Sequence, residues 1–272
     1  MIQALKEMLA FDFMCRAAVG VLLMMPLFSF LGTLVVNNGM AFFSDALGHS
    51  ALTGAAIGLL FGLADPSPAM LIFAIVFALL MNGIRHSRLS STDTVIGVFA
   101  SSGLALGMVL LSKDNGFSGY QSLLIGDILA ITAEQLWMLA GTLVVVLIVW
   151  VLCFNGFFAS ALSPSLAHSK GLPTVWLDNL FVVALAVVVM LTVRFTGLLL
   201  VNAMLILPAA AARNVAKGLR SYVLLALIFS LFSGLLGLVL SYLNAIAAGP
   251  TIVLIGAVVF FGTFLLARHE KA

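Results

Sequence analysis

Charge is what this sequence has least of. Of its 272 residues only 8% are charged, against 63% hydrophobic, and the mean hydropathy is +1.26. Soluble domains carry about 25% charged residues. A water-soluble globule is therefore excluded, because apolar surface of this extent must face lipid or other apolar helices. Cysteine is nearly absent as well. Cys15 and Cys153 stand far apart, which excludes a disulfide framework and a cysteine zinc finger. No G-x-x-x-x-G-K-[ST] loop occurs, so no ATP site of P-loop type is expected on this chain. H-E-x-x-H and a G-x-S-x-G serine elbow are also missing. Without a polar catalytic cluster an enzyme is not expected, and no bound cofactor is implied. Intramembrane acids do not form a row, which argues against a proton-coupled carrier. The net charge of +2 rests on scattered basic residues and gives no nucleic-acid footprint. The first apolar run, Ala17 to Val36, is long enough to span and no A-x-A-like site follows it, so a cleavable signal peptide is not expected.

What is present is a series of long apolar runs without period-two alternation, which predicts helices rather than barrel strands. The fold class is all-α: a polytopic membrane protein of about nine helical segments forming eight or nine spans, in a single membrane domain over residues 1–272. The spans are expected near 17–37, 41–63, 68–84, 94–112, 133–153, 175–193, 197–209, 221–245 and 249–267. The seventh is shorter than the ~20 residues a full crossing needs, which predicts a half-helix buried among neighbours. Residues 1–16 read as an interfacial amphipathic helix, and 119–132 as a second non-spanning piece. With nine crossings, Arg85, Arg88, Lys170, Arg213, Lys217, Arg220, Arg268 and Lys271 fall on one side, eight of the twelve basic residues. The positive-inside rule then puts the C-terminus inside and the N-terminus outside. Eight crossings would reverse the N-terminus.

The sharpest polar feature is F-F-S-D-A-L-G-H-S-A-L-T-G, Phe42 to Gly54. Asp45 and His49 are four apart and project from one helix face, a turn from each other. Ionisable side chains inside a span are costly and mark functional sites by default. Carboxylate and imidazole together suit a first-row divalent cation. Two ligands are too few for a closed site, whereas a symmetric pair of such helices would supply four. From the pair alone, the commoner arrangement is a capping Asp45 with His49 bonded to a carbonyl. Gly54, Gly58 and Gly62 continue the helix at intervals of four and predict a close helix–helix approach.

A second feature is L-P-A-A-A-A-R-N-V-A-K-G-L-R, Leu207 to Arg220. Pro208 is expected to end the seventh helix, and a short basic helix over about 209–220 to follow on the inner face. That helix is equally readable as a lever docking into a cytoplasmic partner or as a loop that fixes topology. Asp93 and Thr94 open the fourth span, with capping the favoured role of the acid. Asp127, His86, His168 and His269 fall near membrane edges and call for no special role. The dispersed Met and Phe residues read as packing.

Six blocks in order resemble the permease subunits of metal-type ABC importers, the zinc, manganese and iron group. They are S-D-A-L-G-H-S-A-L-T-G from Ser44, T-D-T-V-I-G from Thr92, L-I-G-D-I-L-A-I-T from Leu124, L-S-P-S-L-A-H-S-K-G from Leu162, G-L-L-L-V-N-A-M-L-I-L-P-A-A-A-A-R from Gly197, and A-G-P-T-I-V-L-I-G-A from Ala248. The resemblance runs nearly end to end. It implies the transmembrane half of an ATP-driven importer in a bacterial cell membrane. Its partners would be a cytoplasmic ATPase, an extracytoplasmic metal-binding protein and a second permease copy. It implies that Asp45 and His49 coordinate the transported divalent metal ion. It also implies a coupling helix formed by Ala211, Ala212, Arg213, Asn214, Val215, Ala216, Lys217, Gly218 and Leu219. Two departures are visible: Asn37-Asn38-Gly39 replaces an arginine-bearing loop, and Thr53 stands where many members have proline. A chelate permease of siderophore or cobalamin type is the nearest alternative, and an ATP-independent channel or carrier the next.

Overall fold

A computed structural model describes residues 10–87, 90–112 and 126–271. It is all-helical. The helices are α1 (Asp12–Asn37), α2 (Phe43–Leu60), α3 (Ser67–His86), α4 (Thr92–Ser112), α5 (Ala133–Leu162), α6 (Pro164–Ser169), α7 (Thr174–Val215), α8 (Leu219–Asn244) and α9 (Ala248–Lys271), with a 3-10 turn at Ile128–Ala130. Seven of them are long and apolar enough to cross a membrane. The polar α2 is not among the seven, although it matches the expected second segment. The other expected segments lie on α1, α3, α4, α5, the two parts of α7, α8 and α9.

The chain divides into two compact units. One comprises Met1–Val36, Ile125–Trp150 and Phe195–Ala272, the other Asn37–Leu124 and Val151–Arg194. In the first, α1 is largely enclosed. Ser230 of α8 donates to the Met25 carbonyl at 2.9 Å, and Tyr222 donates to the Thr33 carbonyl at 3.3 Å. A Cβ on Gly32 would run into the Leu205 backbone, and one on Gly237 would lie 2.6 Å from Ile252 Cα. Small residues thus set the helix spacing where no water-driven hydrophobic effect exists to do so.

The second unit is built on α2, packed against α3 and α4. A Cβ on Gly54 would sit 2.5 Å from Met70 Cα, and one on Gly58 3.1 Å from Pro66. These two glycines fulfil the expected close approach. Gly62 does not: α2 ends at Leu60, and Gly62 lies beyond it in open space with φ +70°. It is a turn glycine, used for its backbone freedom. Against α4, Gly107 meets Leu52 and Thr53, and Thr53 Oγ1 donates to the Gly103 carbonyl at 2.5 Å. The residue that stands in place of proline is thereby an interhelical clamp. Thr53→Val is expected to cost about 1 kcal/mol and lower Tm by about 2–4 °C, read by thermal unfolding in detergent.

Several expectations are corrected in detail. Pro208 does not end a helix: α7 continues to Val215. Its missing N–H forgoes one bond, to the Met204 carbonyl, a loss tolerated within a bundle, and four alanines carry the helix on. No separate short helix therefore occupies 209–220. The segment is the end of α7, a break at 216–218 and the start of α8. At α4 the capping side chain is Ser91, whose Oγ accepts from Thr94 N at 3.2 Å, while Asp93 sits in the first turn. Asp127 caps the 3-10 turn by accepting from Leu129 N at 3.0 Å. Residues 12–16 belong to the same helix as the first span. The rest of the proposed interfacial helix (1–9), Arg88 and the start of the 119–132 piece lie outside the described residues, as do the side chains of His168 and His269.

At 42 residues α7 would extend about 63 Å if straight, roughly twice a ~30 Å hydrocarbon core. It is not straight. Gly197 has φ 76° and ψ 160°, which breaks the helix into 174–196 and 198–215. These are the sixth and seventh expected segments, the second running longer than expected.

Candidate metal centre

The Asp45–His49 pair lies in the first two turns of α2. From Phe43 to Ala56 every residue of this helix is buried except these two. His49 Nε2 is 3.5 Å from Asp45 Oδ2, and the two side chains keep 25% and 43% of their exposure. The helix has therefore given its one accessible stripe to a carboxylate and an imidazole. A tetrahedral ion with ligand bonds near 2.0–2.1 Å holds neighbouring ligands about 3.3 Å apart, close to the observed spacing. His49 Nδ1 is buried with no hydrogen-bond partner among the described residues. The alternative in which His49 is tied to a carbonyl finds no support in this geometry. Ser44 Oγ, next to Asp45, is likewise buried and unpartnered there. No group of three or more His, Cys, Asp or Glu side chains is found among the described residues. Asp45 and His49 are thus a pair and not a closed set of four within one chain.

Sequence reasoning missed Asp178. It sits one turn into α7, with Arg85 NH2 3.4 Å and His86 Nε2 3.0 Å from its Oδ2. His86 Nδ1 meets the Asn82 carbonyl at 2.9 Å, so the ring is held at both nitrogens. Asn82 is fully buried and donates to Asn179 Oδ1 at 2.8 Å. His86, read as an edge residue without a role, is part of a polar cluster joining α3 to α7. A signal was present: D-N one turn into the apolar run after Thr174, and N-G-I-R-H closing the third span. Nothing in the sequence brings the two together, since 92 residues separate them.

At the opposite end of this unit, Arg194 NH1 approaches Asp65 Oδ1 at 3.3 Å and also donates to Ser67 Oγ. Ser67, through its hydroxyl and then its N–H, holds the Asp65 carboxyl below its ordinary range, with Arg194 adding to the effect. The two charges, 129 residues apart in the chain, meet there. The proposed coupling residues are divided: Ala211 and Ala212 are buried, while Arg213, Lys217 and Gly218 are exposed. Arg213 NH1 donates to the Val36 carbonyl at 3.4 Å.

Comparison with known proteins extends over the whole molecule. A family described as the ABC 3 transport family matches residues 10–267. The manganese import system permease protein ScaB of Streptococcus parasanguinis is 32% identical over 89% of this chain and 86% of its own. The high-affinity zinc uptake system membrane protein ZnuB of Haemophilus influenzae is 33% identical, over 85% and 88%. Among solved structures, PsaBC from Streptococcus pneumoniae in complex with Fab superposes with a TM-score of 0.83 at 28% identity, covering 97% of this chain and 95% of the other. An inward-facing putative metal-chelate type ABC transporter has a TM-score of 0.72 at 13% identity, a likeness of fold alone. The chain belongs to the ABC 3 transport family.

Proposed function

We propose that this member of the ABC 3 transport family is the membrane permease subunit of an importer that carries a divalent metal ion into the bacterial cytoplasm. Relatives named for manganese and zinc import favour those ions over iron. The observation that carries the reading is the exposed stripe of α2: in an otherwise buried helix, Asp45 and His49 alone remain accessible, 3.5 Å apart, with His49 Nδ1 unpartnered. Two copies of the permease would place two such pairs on one ion. The bound cation would offset the repulsion between the two carboxylates.

In this reading the whole chain acts as one permease domain with its C-terminus in the cytoplasm. An extracytoplasmic metal-binding protein delivers the ion, and a cytoplasmic ATPase drives alternating access. The segment Ala211–Leu219 receives the push. It suits that role because the buried alanines anchor it while Arg213, Lys217 and Gly218 face outward at the break between α7 and α8. Reversing Arg213 and Lys217 to glutamate is expected to lower metal-stimulated ATP hydrolysis at least tenfold in reconstituted importer, with metal binding by the permease unchanged. Unaltered stimulation would remove the segment from the coupling path. The function itself is tested in proteoliposomes holding permease and ATPase, with the binding protein outside. Accumulation of manganese or zinc should require ATP and the binding protein. Accumulation without ATP would favour a channel, and transport of a chelate but not the free ion a chelate permease.

A further inference from the structure

A polar cavity in the same unit lies outside the Asp45–His49 pair. It has a volume of about 570 Å³ and gathers Asn37, Asn38, Arg85, His86, Ser160 and Asp178 among its lining residues. These belong to the ends of α1, α3, α5 and α7 that the sequence assigns to the cytoplasmic side. A cavity of this size in an apolar bundle holds water or a hydrated ion.

Three features suit it to a cation. His86 Nε2 and Asp178 Oδ2 are 3.0 Å apart, a hydrogen-bond length that is also the spacing of two adjacent ligands on an octahedral ion with bonds near 2.1 Å, about 3 Å. Ser160 is 5% exposed, lines the cavity, and its Oγ has no partner among the described residues. A buried hydroxyl left unpaired is costly, and a third ligand, here an oxygen, is what an ion there would need. Finally, Arg85 holds Asp178 loosely. Its contact is 3.4 Å, longer than the 2.7–2.9 Å usual for a charge-assisted bond. Its NH1 goes instead to the thioether of Met40 at 2.7 Å, and sulfur is a weak acceptor. The guanidinium neutralises the carboxylate without gripping it.

We propose that Asp178, His86 and Ser160 form an inner waystation for the transported divalent cation, and that Arg85 is the built-in competitor that displaces the ion from it. The inference rests on the importer reading. The ion leaving the α2 pair would be received by a carboxylate and an imidazole in water, so its shell is rebuilt stepwise. The return of Arg85 to Asp178 then expels it. An arginine at this place makes the site weak by construction, as an exit must be.

The test uses the full-length permease in lipid nanodiscs with Mn²⁺ alone as probe, read by titration calorimetry and by the EPR signal of free Mn²⁺. With Asp45 and His49 replaced by alanine, a weak class of Mn²⁺ binding is expected to persist. Adding Asp178→Asn or His86→Gln should abolish it, with Tm recorded to confirm folding. Arg85→Gln should tighten this class at least tenfold and slow uptake by the assembled importer. Weak binding indifferent to Asp178, His86 and Arg85 would overturn the proposal. So would a charge swap, Arg85→Asp with Asp178→Arg, that restores wild-type uptake, since that marks a structural pair only. Failure of the α2 site would show separately, as uptake surviving the Asp45→Ala/His49→Ala change.

Discussion

With Asp45 and His49 both replaced by alanine, uptake of manganese or zinc falls to the background of vesicles lacking the importer. Loss of groups that merely orient metal ligands costs about 10–100-fold in affinity or activity, and under the proposed function this change removes the ligands themselves. The chain nevertheless folds. Both side chains are partly accessible, alanine is the best helix former, and surface changes of this kind usually stay within about 0.5 kcal/mol. The packing of α2 rests elsewhere, on Gly54, Gly58 and the Thr53–Gly103 bond. The measurement is isotope accumulation in cells or proteoliposomes beside the Tm and the yield of ATPase-bound permease. Wild-type accumulation by the double variant would dismiss the site. Asp45→Asn alone should be milder, since an amide oxygen still ligates a hard cation but brings no charge.

What was legible in the sequence was what is local. The i, i+4 spacing of Asp45 and His49 is a property of one helix, and the structure keeps it. The apolar runs are local as well, and every expected span corresponds to a helix or part of one. Gly54 and Gly58 were read correctly as contact glycines, but Gly62 was not, because the same spacing continues past the helix end without any sign that the helix has stopped. Pro208 misled for a related reason. Its intrinsic effect is helix-breaking, yet inside a bundle the surroundings tolerate the missing bond and the alanines outweigh it. That Asp178 pairs with His86 and Arg85 could not be read. It is a tertiary fact, made by the last turn of one helix meeting the first turns of another, 92 residues apart. Charge scarcity still gave a hint. In a chain with so few acids, one placed a turn inside an apolar run needs a partner.

Gly197→Ala is expected to be the most damaging single change outside the candidate metal site. The position holds φ 76° and ψ 160°, a region open in practice to glycine alone, where another residue costs about 1–3 kcal/mol. Alanine would also favour the continuous helix that the glycine prevents, and a straight α7 is roughly twice as long as the hydrocarbon is thick. The break is held from a second side. Gly126, itself at φ +57°, approaches so closely that a Cβ on it would overlap the Thr196–Gly197 peptide. Two glycines therefore meet backbone to backbone, and the Thr196–Gly197 peptide leaves no room for a side chain at Gly126. Gly197→Ala and Gly126→Ala should both lower Tm, by about 2–4 °C for each kcal/mol lost, and both should reduce uptake at least tenfold. Because they damage one contact, the double variant should fall short of the sum of the two. Unfolding temperatures of the four proteins in one lipid preparation decide it. Additive losses would mean that the break in α7 and the turn at Gly126 are independent, and a wild-type Gly197→Ala would mean that the break has no part in holding the second half of α7 in place.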